Sequence, residues 1–374
     1  MINENGSVAA RAFQLPLNIS RSAKQLASSR VLNHLTLLGF QDKDRSFDPS
    51  GADVPLTEKQ TETLEALAKF WSKAYTREVQ GGPGASLGEK ESSSDAIGNF
   101  VVTDARFAAK LIARMNDSIT SAAKVLRGEE EDKERALDTY SLSWNEVPQS
   151  WRKIWDGSLG ENVSTFAYID MVLQKFKYLQ LQCQKISRLT KSASTRAVLL
   201  EEGGISLSNF FNPKSFVIAM KQQAARAQNC SIHDLVLHSS WGSDPQKSLD
   251  NLGADVSRIF SVDSDPEGLS GLPLRGIMVQ GAQIGISGTA ARLHDVSEGD
   301  DIVNKAPAVA IGFVQASKTL GLGGLRDHVQ VPLYEDTNRT SIIDYLRVPC
   351  DKRKADDDQQ WSIKAIAFFT SSSS

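Results

Sequence analysis

The sequence predicts an α+β fold, a helical region followed by a mainly antiparallel, β-barrel-like C-terminal domain. Three features carry that prediction. Between Asp104 and Ala227 apolar residues recur at three and four positions, the spacing of one helical face. After Cys230 the period shortens to two, the alternation of strands. Between those strands we read no run of ten or more helix-periodic residues, so antiparallel connections are expected in place of βαβ crossovers.

Taken in order, residues 1–78 form a divergent helical segment with two short apolar stripes, Leu26, Val31, Leu32, Leu35 and Leu38, then Leu64, Leu67, Phe70 and Trp71. Residues 79–100 run through Gly81, Gly82, Pro83, Gly84 and Ser92 to Ser94 with almost nothing apolar, and are expected to be a flexible linker or surface loop. Residues 101–230 form the helical part. Its clearest helix spans Asp104 to Arg127, with Phe107, Leu111, Met115, Ile119, Ala122 and Leu126 on one face and Gly128 at its end. The charged run that follows, Glu129 to Arg135, reads as a solvated turn. A connection rich in tryptophan, with Trp144, Trp151 and Trp155, leads into a helix through Phe166, Ile169, Leu173, Phe176 and Leu179 or Gln180. A further helix starts with Asn212 as cap and Pro213 in its first position, with Phe216, Met220, Ala224 and Ala227 facing inward. Residues 231–374 form the β-rich domain, with strands expected at 235–238, 274–280, 308–314, 329–334, 341–348 and 361–369.

Composition narrows the function. The protein has 374 residues, 40% of them apolar, which suffices for two or three domains with cores of their own. Forty-two basic against 45 acidic side chains give a net charge of −3, which argues against nucleic acid or a polybasic membrane anchor. The locally basic stretch from Lys175 to Arg196 reads as a solvated helix and loop. Three scattered cysteines fit a reducing compartment, and no apolar run approaches membrane-spanning length. A soluble protein is expected, with neither nucleic acid nor membrane as partner.

Chemistry is sparse. There is no Walker A loop, and Gly321, Gly323 and Gly324 do not lead into a long helix as a dinucleotide fingerprint would. Cys230 and His233 have ligand-like spacing but no second pair, so no metal is expected. None of the five histidines sits in a nucleophile or metalloprotease motif, and the acidic runs, such as Asp356 to Asp358, read as solvated surface. No catalytic and no cofactor-binding residue is therefore assigned. An enzyme is the minority reading, with a cryptic site near His328 or His238.

The order of motifs resembles the C-terminal region of dynein heavy chains. It begins with Arg106-Phe107 and Leu111 to Asn116 and continues through Val147-Pro148-Gln149-Ser150-Trp151. Leu207 to Phe216 then resembles the family's double-phenylalanine segment, Gln222 to Arg226 its glutamine–arginine helix, and Ile232, Asp234 and Leu235 the element that follows. Gly276 to Ala282, Val331-Pro332-Leu333-Tyr334 with Arg339, Val348-Pro349 and Trp361 to Phe369 resemble the closing strands. The family's tryptophan before Phe210 is missing, and Lys364 and Ala365 replace a glycine-containing version. These departures point to the ciliary, retrograde intraflagellar-transport subtype, with an axonemal heavy chain as the alternative.

The resemblance implies a non-catalytic structural and regulatory module that packs on the dynein AAA ring, or on remaining heavy-chain segments, and modulates microtubule-based motor activity. Its partners would be that ring and the subunits of the dynein complex, with indirect association to microtubules, in the cytoplasm and cytoskeleton and in a cilium or flagellum. Residues 1–78 would be a remnant of an AAA module or a divergent extension. The implied packing or interface residues are Trp151, Phe210, Phe211, Phe216, Arg226, Tyr334, Arg339 and Trp361, although for Phe216 and Trp361 an internal core role is the preferred reading. Trp151, Phe210, Phe211 and Phe216 would form an exposed apolar patch once the ring is removed. A free-standing adaptor that kept the fold is the alternative function.

Overall fold

The computed structural model describes residues 56–80, 95–129, 136–156, 163–188, 195–260, 269, 271–287, 290–294, 303–316, 328–337, 339, 341–349 and 366–370. Helix α1 (Glu58–Tyr75) opens with a capping box between Thr57 and Gln60 and runs into a π-helical turn, Thr76–Gln80. Helix α2 (Ala96–Val125) is the central element of the helical region, packing against α1 and against helices that follow it in sequence. It begins eight residues before Asp104, because Asp95 accepts a hydrogen bond from the Gly98 amide at 2.9 Å and caps it. Residues 96–100 of the expected linker are therefore helical. Val101, Ala105, Ala108, Leu111 and Met115 are fully buried along its inner face.

Short helices α3 (Ala136–Ser143) and α4 (Gln149–Arg152) carry the tryptophan-rich connection to α5 (Thr165–Ser187). Helix α6 (Thr195–Glu201) leads to strand β1 (Ile205–Ser206), the turn 207–212 and α7 (Pro213–Ala227). Asn212 and Pro213 stand where the sequence expects them, but the Asn212 side chain makes no capping bond. Ala224 is buried, whereas Ala227, expected inward, is exposed at the helix end.

The β region contains β2 (Leu235–Gly242), β3 (Leu272–Arg275), β4 (Ile277–Gln280), β5 (Gln283–Ser287), β6 (Ala290–His294), β7 (Asn304–Lys305), β8 (Ala308–Gln315), β9 (His328–Tyr334), β10 (Ile342–Pro349) and β11 (Ala367–Thr370). Among the described residues no sheet closes on itself, so the expected β-barrel-like closure is not formed. The strands form a four-stranded sheet in the order β1-β3-β8-β2, a five-stranded sheet in the order β10-β9-β11-β4-β7, and the hairpin β5-β6. Most pairs are antiparallel, but β1 with β3 and β11 with β9 are parallel.

Two local features explain why the sheet stays open. The segment expected as one strand, 274–280, breaks at Gly276, whose φ of +69° favours glycine, so that β3 and β4 enter different sheets. At the other side the edge strands β2 and β10 meet through side chains. Ser239 Oγ donates to the Arg347 carbonyl and accepts from the Arg347 amide, both at 2.7 Å, and Trp241 Nε1 donates to the same carbonyl at 2.9 Å. These bonds occupy backbone groups that a barrel would pair strand to strand. Ser239→Ala should cost about 1–3 kcal/mol and expose the Arg347 amide to rapid hydrogen exchange. An unchanged urea midpoint with full protection at Arg347 would contradict this account of the seam.

Helix α8 (Pro245–Phe260) is absent from the sequence expectation; it links β2 to β3 across the face of their sheet. Because β2 and β3 are both antiparallel to β8, they run parallel to each other, and their connection is a helical crossover where none was expected. The helix sits close because Gly271 and Gly312 leave room for Leu252, whose Cδ2 would meet an added Cβ at 2.8 and 3.2 Å. A single hydrophobic cluster runs from Leu64 through Phe210 and Leu272 to Phe368, joining the helical and β regions.

Candidate functional site

The turn 207–212, which carries the family-like double phenylalanine, connects β1 to α7 and is held by α2 and α5. Leu207–Asn209 form one 3₁₀ turn and Phe210 leaves it extended, so the carbonyls of Ser208 and Phe210 need partners from elsewhere. Lys175 of α5 supplies both: its Nζ donates to the Ser208 carbonyl and, at 2.8 Å, to the Phe210 carbonyl. Asp104 of α2 holds the other end, accepting from the Phe211 amide at 2.9 Å and from Asn212 Nδ2 at 2.8 Å. This explains the missing cap on α7, since the Asn212 amide is committed to Asp104. Around the clamp Phe210 stacks on Phe216 at 4.6 Å, Trp155 meets Phe211 edge to face at 4.9 Å, and the Lys175 ammonium lies 5.5 Å above the Trp155 ring.

Burial dominates the electrostatics of this clamp. It raises the Asp104 pKa, against the lowering effect of its hydrogen bonds and of Lys175. It brings the Lys175 pKa down to about 8, against the attraction of Asp104 and Glu335. Because the folded value of Lys175 lies below its ordinary 10.5, the unfolded state binds this proton more tightly. The resulting stability is fully present above about 10.5 and is lost as pH falls through about 8. Wild type should therefore gain stability relative to Lys175→Met between pH 8 and pH 9.5. Urea midpoints of the two proteins that run parallel over that interval would contradict this.

A second cluster lies in the five-stranded sheet. Tyr334, the last residue of β9, stacks on Phe369 of β11 at 6.0 Å, and the Arg339 guanidinium lies 5.6 Å above the same Phe369 ring. Arg339 donates to Gln280 Oε1 of β4 at 3.1 Å, and its φ of +58° marks a tight turn between β9 and β10. Burial lowers its pKa, with Tyr334 acting the other way.

Among the described residues an open, shallow groove of about 290 Å³ lies between α2 and α7. Phe100 and Asn99 stand on one wall and Ile218, Gln222 and Arg226 on the other. Gln223 fixes the two helices to each other by accepting from the Ala96 amide at 2.9 Å, at the start of α2.

Comparison with known proteins decides what these clusters belong to. The family described as the C-terminal domain of the dynein heavy chain matches residues 25–370. The protein belongs to that family. The dynein C-terminal domain is a non-catalytic region of the heavy chain, distinct from its AAA ATPase modules. Curated relatives include cytoplasmic dynein 2 heavy chain 1 of Caenorhabditis elegans, 22% identical over 360 residues, covering 96% of the present sequence and 7% of that one. The Chlamydomonas reinhardtii protein of the same name is 22% identical over 375 residues, with 96% and 8% covered. The Homo sapiens protein is 23% identical over 362 residues, with 96% and 7% covered. The 374 residues thus span less than a tenth of the length of these heavy chains.

In this dynein domain the residues proposed from sequence fall into three groups. Trp151, Phe210, Phe211 and Phe216 are between 0% and 4% exposed and lie inside the protein, so they form no surface patch when it stands alone. The physical reason is the clamp and the ring stacking just described, which turn the double phenylalanine inward. Trp151 also donates to Ser118 Oγ at 3.2 Å, which in turn donates to Asp138 at 2.7 Å. Tyr334 and Arg339 come together on Phe369. Arg226 is exposed and lines the groove. Trp361 lies outside the described residues, as do the stripe from Leu26 to Leu38, the glycines at 321–324 and the acidic run 356–358.

Sequence reasoning missed Lys175, Asp104, Gln223 and Ile218. Lys175 falls in the basic stretch that reads as solvated, yet its ammonium is committed to the turn carbonyls, and Arg196 of the same stretch is buried with Nε donating to the Gly271 carbonyl at 2.9 Å; nothing in the spacing marks Ile218. Of the histidines considered for a cryptic site, His238 is buried with Nε2 3.5 Å from Asp255 Oδ2, and Ser240 donates to that same carboxylate. Neither His238 nor His328 lines the groove. Among the described residues no group of three or more His, Cys, Asp or Glu is arranged to hold a metal ion, and no helix is long and apolar enough to cross a membrane.

Proposed function

We propose that this dynein C-terminal domain is a structural and regulatory module that packs on the AAA ring of a heavy chain of the cytoplasmic dynein 2 type and modulates its microtubule-based motor output. The observation that carries this reading is the family match across residues 25–370, with relatives that bear the cytoplasmic dynein 2 heavy chain name. The continuous core supports it, because a module that transmits ring position must move as one body. On this reading residues 101–230 and 231–374 act together, and the site of action is the cytoplasm and cytoskeleton, with a cilium or flagellum as the specific setting.

The test is size-exclusion chromatography with light scattering of the protein by itself and mixed with a purified motor fragment of a cytoplasmic dynein 2 heavy chain that lacks its own C-terminal region. ATP turnover is followed in both samples. Stable co-elution with altered turnover only in the mixture is expected. A monomer that leaves both ring and turnover untouched would overturn the regulatory role and favour an independent adaptor.

A further inference from the structure

Strand β11 is the last of the described strands in sequence, yet it lies in the middle of the five-stranded sheet, between β9 and β4. Its two neighbours hold it unequally. All four of its residues pair with β4, from Ala367 opposite Gln280 to Thr370 opposite Ile277. With β9 the pairing covers Phe368–Leu333 and Phe369–Tyr334 and stops there. Its limit has a cause in the sequence of β9. On β10 the Arg347 amide and carbonyl turn away from β9 to meet Ser239, and Arg347 stands opposite Gln330. Alternation along an antiparallel pair then turns the backbone groups of Gln330, Pro332 and Tyr334 away from β10 and towards β11. Pro332 has no N–H to give, so the ladder cannot continue back through it. Tyr334 is left as the donor that β9 offers within its pairing to β11.

Side chains hold what the ladder does not. From the turn after β9, Arg339 reaches across the junction: its guanidinium lies 5.6 Å over the Phe369 ring and donates to Gln280 Oε1 of β4 at 3.1 Å. It does so from a left-handed backbone, φ +58°, which a residue with a Cβ adopts at a cost. Thr370 Oγ1 donates to the Glu335 carbonyl at 2.7 Å, and Tyr334 stacks on Phe369. On the other face of β11, Phe368 meets Trp241 of β2 at 5.3 Å.

We propose that the β9–β11 junction is a built-in point of opening, at which the five-stranded sheet parts while the rest of the protein stays folded, and that Arg339 is its latch. On one side β4, β7 and β11 remain a unit. On the other β9 and β10 remain together, tied to β2 through the Arg347 backbone. Opening breaks the two parallel pairs, the Arg339 and Thr370 contacts and the Phe368–Trp241 contact, but no other pairing among the described strands. The β region thereby has a second, partly open state whose population is set by the side chains of one turn.

Residue-resolved amide hydrogen exchange of the full 374-residue protein tests this. Val331 and Phe369 are the references, because the same alternation turns their N–H groups towards β10 and β4. In wild type the Tyr334 amide should show protection at least about a hundredfold lower than either. Arg339→Ala should lower Tyr334 protection at least about tenfold further and leave Val331 within about twofold of wild type. Pro332→Ala, which restores an N–H to the ladder, should raise Tyr334 protection at least about threefold. Equal protection at the three amides in wild type, whether all slow or all fast, would overturn the opening. A Pro332→Ala protein that protects Tyr334 no better than wild type would overturn it too, and unchanged Tyr334 protection in Arg339→Ala would overturn the latch. Should Arg339→Ala fail to fold, the wild-type pattern and Pro332→Ala decide.

Discussion

Asp104→Ala should destabilise the protein by about 3–5 kcal/mol, read as a lower urea midpoint at an unchanged m-value. The substitution leaves the Phe211 amide and the Asn212 side chain without their acceptor in a buried position, and it removes the carboxylate that offsets the Lys175 charge. A lost partner costs more than the bond was worth, because a buried donor keeps its desolvation penalty. Asp104→Asn retains one carbonyl oxygen and should cost less, about 1–3 kcal/mol. Lys175→Met strips the Ser208 and Phe210 carbonyls of their donor, so the double variant with Asp104→Ala should be less damaging than the sum of the singles. Strict additivity would mean that the two residues hold the turn independently. A cost below about 1 kcal/mol for Asp104→Ala would remove the clamp as an explanation of how the turn 207–212 is held on α2 and α5.

That clamp also shows how much of the fold is legible in the sequence. Period alone recovers α2, α5 and α7, because each buries one face and leaves the other to water. It misplaces the start of α2, since the serines and glycines before Asp95 read as loop and the capping carboxylate among them is a single residue. The spacing of Leu249, Leu252, Val256 and Ile259 is helical, yet Asp250, Asn251, Gly253 and Asp255 interrupt it and hide α8. Strand periodicity marks most of the β segments but not their pairing. Which edge meets which depends on Gly276 and on the Ser239–Arg347 bonds, contacts between residues 108 positions apart that no local pattern contains. For the same reason the motif Leu207 to Phe216 is recognisable in sequence but the direction its rings face is not. Large aromatic residues fit a surface that a ring covers and an internal core equally well, and only the positions of Lys175 and Asp104 decide between them.

Trp151 separates those two roles experimentally. If it belongs to the interior, Trp151→Ala must destabilise the isolated protein, and a loss of about 3–5 kcal/mol is expected for so large a buried ring. The side chain is 0% exposed, tilts against Tyr168 at 6.0 Å and donates to Ser118, whose hydroxyl is tied to Asp138. Trp151→Phe keeps an aromatic ring but leaves a smaller void and a hydroxyl short of one donor, so about 1–3 kcal/mol is expected. Asp138 would still be held by Arg114 at 3.2 Å and Ser150 at 2.9 Å, which keeps the network from collapsing. Arg226→Glu, on an exposed face, should leave the same unfolding midpoint within about 0.5 kcal/mol of wild type. The two substitutions thus make opposite predictions in one assay: Trp151→Ala moves the stability of the isolated protein, and Arg226→Glu leaves it in place. A Trp151→Ala variant as stable as wild type would return this tryptophan to the surface and reopen the patch that its burial removes.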